Sequence, residues 1–169
     1  MKNECRYGTL AAAALFSLGV VAWPERATAD DVFFAVLNSQ QEIQDLKPDS
    51  NAFGNALMTF TNSTDMLCYA ISYSALEGGA ETNAHFHSPA SVGENASVAF
   101  AISPAPSPFD SPKTGCVGPL NNRQRADLRR GLFYINIHST NFPDGEIRGQ
   151  VLPVAGDRQR AGETVADTD

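Results

Sequence analysis

The chain has 169 residues, with 19 acidic side chains against 12 basic ones and a formal net charge of −7. Such a balance offers no electrostatic footprint for nucleic acid or an anionic lipid surface, and neither is expected as a partner. The length is that of a single domain.

Residues 1–29 read as a signal peptide. Lys2 and Arg6 give a positive start, residues 10–23 form an almost unbroken apolar run, and Ala27-Thr28-Ala29 fits a small-x-small cleavage site. The run is shorter than the roughly 20 residues that span a bilayer. Cys5 lies before it rather than at the cleavage point. No membrane anchor is therefore expected after cleavage, and the expected location is extracytoplasmic, periplasmic or secreted. Cleavage removes Lys2, Arg6 and Arg26 against Glu4 and Glu25, so the remainder is one charge more acidic.

The remainder divides into a domain over residues 30–155 and a polar tail, 156–169, which is expected to be disordered. Strands are expected at 32–37, 53–61, 66–73, 82–86, 97–102, 133–139 and 145–152, each short and rich in β-branched or aromatic residues. Asn62-Ser63-Thr64-Asp65 supplies turn chemistry between the second and third. Residues 103–119 are proline-rich and are expected to form a long loop, because proline cannot continue a central strand. The segment PLNNRQRADLRRG that follows reads as one short helix closed by Gly131. Its Arg123, Arg125, Arg129 and Arg130 are expected to form a solvated face rather than an anion or partner site. The whole predicts an all-β domain, a Greek-key β-sandwich with one short helix in a long loop.

Cys68 and Cys116 remain after cleavage. In an oxidising compartment one disulfide between them is the default. A buried free thiol with an unpaired partner, or cysteine ligation of a metal, are the alternatives.

The chemistry concentrates in two stretches. In AHFHSP, His85 and His87 are two residues apart, so on a strand they share a face. In FYINIHSTNFPDGEIRGQV, two alternating runs flank a Pro-Asp-Gly turn. Phe133, Ile135 and Ile137 fall on one side, and Asn136 and His138 on the other. Continued alternation puts Glu146, Arg148 and Gln150 on the polar face of the return strand.

AHFHSPA, the later GLFYINIHSTNFPDGEIRGQV and the opening FFAVLNSQQEI together resemble the CHRD domain, named after chordin and common in secreted bacterial proteins. The resemblance runs from about Val32 to Leu152. It implies an immunoglobulin-like β-sandwich with a distant relation to copper/zinc superoxide dismutases, and it brings no established activity for bacterial members. The dismutase fold has an H-x-H strand and a later V-H strand whose histidines bind copper. By that likeness His85, His87 and His138 would take those places. There is no fourth histidine to bridge to zinc, so a full copper/zinc dismutase is excluded by count.

Two functional classes follow. One is a non-enzymatic extracytoplasmic module that binds an unidentified protein or ligand, or supports a surface structure. The other is a mononuclear copper or zinc protein using His85, His87 and His138, since neutral imidazole suits both metals. In the first class the histidines form a hydrogen-bonded seam and bind nothing. Glu146 would either orient the His138 ring through its second nitrogen or pair with Arg148 to fix the hairpin register. No complete catalytic set stands out.

Overall fold

Alternation in the closing hairpin places Phe133, Ile135 and Ile137 on one side of a strand and Ile147 and Val151 on one side of the next, all fully buried. The computed structural model describes residues 30–102 and 111–154. The signal-peptide reading, the tail and part of the proline-rich stretch lie outside these residues.

Eight strands form: β1 (Asp31–Asn38), β2 (Phe53–Thr61), β3 (Met66–Ser74), β4 (Glu81–His87), β5 (Val98–Ala101), β6 (Lys113–Val117), β7 (Phe133–Ser139) and β8 (Ile147–Pro153). They make one antiparallel sheet in the order β5-β4-β7-β8-β1-β2-β3-β6. The domain is all-β, with a single short helix among the described residues, as the sequence predicts.

The sheet folds back on itself, because its two ends share one apolar filling. Tyr69 of β3 packs edge-on against Phe86 of β4 at 5.6 Å, and its hydroxyl donates to the Ile102 carbonyl just beyond β5. Lys113 of β6 reaches Glu81 of β4 at 2.9 Å, with both side chains buried. Inside lie Phe33, Leu37, Met58, Phe60, Leu67, Ile71, Phe86, Ile135 and Ile137. Burying one such side chain contributes about 1.5–3 kcal/mol.

The helix α1 (Asn122–Arg129) starts at a capping box. The Asn121 side chain accepts from the Gln124 amide, and the Gln124 side chain accepts from the Asn121 amide. It ends where Gly131 adopts a left-handed φ of 72°. Its arginines are not simply solvated. Arg125 pairs with Asp65 in the β2–β3 turn and Arg129 pairs with Asp31 at 2.8 Å, so they fasten the helix to the sheet.

The expected loop at 103–119 needs correction at its end, where Lys113–Val117 is β6, which among the described strands pairs with β3 alone, at the edge of the sheet. Edge position is what makes a strand beside Pro112 permissible. Cys68 and Cys116 face each other in that pairing and are bonded, with an S–S distance of 2.05 Å.

Candidate functional site

β4 and β7 pair with His87 opposite Tyr134, His85 opposite Asn136 and Asn83 opposite His138. His85 and His138 are therefore diagonal neighbours on the outer face, within reach of each other. Their rings approach until His85 Nδ1 lies 3.2 Å from His138 Nε2. One ring nitrogen from each of the three histidines lies within 4.8 Å of one from each other.

Hydrogen bonds fix which nitrogens are available. His138 Nδ1 donates to the Pro143 carbonyl at 2.9 Å, and His87 Nδ1 donates to the Ala96 carbonyl at 2.9 Å. A neutral ring that donates from Nδ1 keeps a bare Nε2. His138 Nε2 then accepts from His85 Nδ1. His87 Nε2 is buried and has no hydrogen-bond partner among the described residues, an arrangement that normally carries a cost and calls for an explanation.

All three rings are held neutral. Burial lowers each pKa from 6.5, and for His85, with the positive charge of protonated His138 and His87 added, it falls to about 4. The rings are therefore unprotonated at neutral pH, the state that ligates metals. His87 is 8% exposed, whereas His85 and His138 are half-buried, so the cluster is open on one side.

Behind His87 the face stays polar but is covered. Tyr134 stacks on His87 at 4.6 Å with the rings parallel to 1°. The Arg148 guanidinium lies 3.4 Å from the centre of the Tyr134 ring. Arg148 also donates to Asn95 Oδ1 at 2.9 Å and to the Glu94 carbonyl at 2.6 Å. Gln150 is anchored to the carbonyls of Ala90 and Gly131. Residues 88–97 thus lie over β8, and the polar half of the hairpin is an interior layer.

Glu42 enters this layer from the segment after β1. Its Oε1 and the Oδ1 of Asn136 are both buried and have no hydrogen-bond partner recorded among the described residues. Both crowd Gly145, whose φ of 129° and close approach leave no room for a side chain. Burial raises the Glu42 pKa from 4.5 to about 7, against the lowering effects of Arg148, the Asn136 side chain and Lys47. Protonation of Glu42 removes a charge that burial disfavours. Glu42→Gln removes that charge permanently, and a gain in stability on the order of 3 kcal/mol is expected above pH 7, at about 1.4 kcal/mol per pH unit. The sign follows from the raised folded value. The native state holds a proton that the unfolded chain has already released, so stability falls as pH rises from 4.5 through about 7. The advantage of the Gln variant should therefore shrink toward pH 4.5, read by urea midpoints across that range.

Glu146 does neither thing the sequence suggests. β8 begins at Ile147, so Glu146 precedes the strand and turns away from its alternation. Its carboxylate accepts from Ser50 Oγ at 2.7 Å and from the backbone amides of Glu77 at 2.6 Å and Gly78 at 3.2 Å. The second nitrogen of His138 is held by a carbonyl instead, and Arg148 is held by residues 94 and 95. Glu146 is thus no outer ligand of the histidine cluster and no partner of Arg148. The stack of Tyr134 on His87 is not something the residue pattern announces, although alternation does put Tyr134 on the His138 face.

An all-β domain with an H-x-H strand beside a third histidine defines a β-sandwich-like protein with an imidazole cluster on one outer face. The chain belongs to the CHRD domain family, whose model matches residues 33–151. No curated protein and no solved structure matches it.

Proposed function

We propose that this CHRD domain is an extracytoplasmic, non-enzymatic binding module whose ligand is a transition-metal ion, copper or zinc, taken up by His85, His87 and His138. The observation that carries the reading is the convergence of three neutral imidazoles around the unpartnered, buried Nε2 of His87. The donor set is His85 Nδ1, His87 Nε2 and His138 Nε2, with backbone carbonyls orienting two of the rings. Ligation at His85 Nδ1 displaces the proton shared with His138, and that proton moves to His85 Nε2 with no change in ring charge. Closing to a common ion requires the rings to draw in from 4.8 Å, since nitrogens about 2.0–2.1 Å from one metal lie no more than about 4 Å apart. The extracytoplasmic setting is supported by the leader-like residues 1–29 and by a disulfide, which persists in oxidising compartments.

Metal titration followed by calorimetry tests this reading. The protein should take up one Cu(II) or Zn(II) per chain. His138→Ala should weaken uptake on the order of 100-fold, at roughly 3 kcal/mol per ligand of a structural zinc site, with the fold intact by circular dichroism. A protein that takes up neither ion, or a variant that binds as tightly as the parent, contradicts it. Unfolding of the metal-free variant would identify His138 as part of a structural seam.

A second reading, a module that docks a partner, is favoured by exposed Phe34, Val36 and Leu57 on the outer face of β1 and β2. Phe34 and Leu57 stand directly opposite each other there.

A further inference from the structure

Among the described residues the histidine cluster contains no carboxylate, and a permanent cation is built in behind it. Arg148 is 2% exposed although its charge is expensive to bury. It is held in place by its stacking on Tyr134 and by Asn95 and the Glu94 carbonyl. Tyr134 in turn lies flat on His87. Stacked in this way, the guanidinium sits within about 8 Å of the His87 ring, close enough for its field to act on an ion there. His87 feels that field, which disfavours positive charge on its ring.

Other charges face the same layer. Glu42, with Lys47 and Asp144 around it, lies within the field of Arg148 and offsets it when ionised. The fields of Asp144 and Glu81 act on His138, and Glu81 is paired with Lys113. The side of the cluster walled by Tyr134 therefore faces a cation.

We propose that the His87–Tyr134–Arg148 stack makes the three-histidine site discriminate by ionic charge, favouring a monovalent, nitrogen-accepting ion such as copper(I) or silver(I) over a divalent one, with Arg148 as the selectivity residue. This rests on the metal-site reading above. A monovalent ion on three neutral ligands adds one charge opposite the guanidinium, and a divalent ion adds two. The stack costs the divalent ion one further unit of repulsion.

The test compares silver(I) nitrate and zinc(II) on the same protein at about pH 8, where Glu42 is mostly ionised. Dissociation constants for both ions are measured in the parent, Arg148→Gln and Glu42→Gln, in chloride-free and thiol-free buffer. Arg148→Gln should tighten zinc relative to silver by about thirtyfold, the effect of one unit charge at that distance and an effective dielectric near 20. Glu42→Gln leaves Arg148 uncompensated and should move the ratio the other way. An unchanged ratio in a folded Arg148→Gln protein overturns the proposal while leaving the metal site standing. If that variant does not fold, Glu42→Gln decides alone, and an unchanged ratio there overturns it equally. Parent protein that binds neither ion removes the site itself.

Discussion

Replacing Glu146 by alanine is expected to cost about 3–5 kcal/mol of folding stability, the scale for removing a buried charged partner and leaving its donors unmet. Its side chain is fully buried and joins three separate segments, through Ser50, the Glu77 and Gly78 amides, and its own place before β8. Burial pushes its pKa up, but the hydrogen bonds more than offset this and hold it below 4.5. Its contribution is present at neutral pH and is lost as pH falls through that depressed value. Glu146→Gln keeps the shape and one acceptor and should lose less. Urea unfolding at neutral pH measures both. A cost below about 1 kcal/mol for the alanine variant would mean that water replaces the carboxylate, and the site would not be the closed junction described.

Removing the disulfide is the other large effect. Cys68 and Cys116 are separated by 48 residues, and closing a loop of that length contributes about 3–4 kcal/mol on a chain-entropy estimate. The bond also fastens β6, which has β3 as its one neighbour among the described strands. The Cys68→Ala/Cys116→Ala protein should unfold at lower urea by this amount, and amides of Lys113–Val117 should lose hydrogen-exchange protection first. An unchanged midpoint would show that Lys113 with Glu81, and the packing of Val117, hold the edge without it.

Much of the strand framework was legible because its alternation is clean. β2 and β7 occur where Phe53–Thr61 and Phe133–Ser139 alternate, with the same ends. β6 was hidden because Pro112, Gly115 and Gly118 dominate its neighbourhood, and its tie to the sheet comes from Cys116 and the buried Lys113 rather than from apolar periodicity. Alternation gives β7 and β8 one polar face, opposite the apolar filling. Asn136, Arg148 and Gln150 are nevertheless buried, because residues 88–97 and the Glu42 segment lie over them. Those covering segments have no period to read, so nothing local announced them. Glu146 departs from its expected place for a related reason. The strand expected from residue 145 begins two residues later, at Ile147, and Glu146 sits where the chain turns toward Ser50 and Gly78. The H-x-H pair follows directly from the two-residue repeat of a strand. That β4 lies beside β7, which brings His138 to that pair, is a matter of sheet order, and only the family resemblance carried it.

If three particular ring nitrogens share one ion, as proposed, imidazole nitrogen chemical shifts read it most directly. In metal-free protein His87 and His138 should show the Nδ1–H tautomer, with His85 donating from Nδ1. On adding zinc(II) to one equivalent, His85 Nδ1, His87 Nε2 and His138 Nε2 should move together to metal-bound values. The Nδ1–H signals of His87 and His138 should persist, still bonded to the Ala96 and Pro143 carbonyls. Spectra that stay unchanged at saturating zinc, or that shift only one ring, would contradict the account and leave the three histidines as a hydrogen-bonded seam.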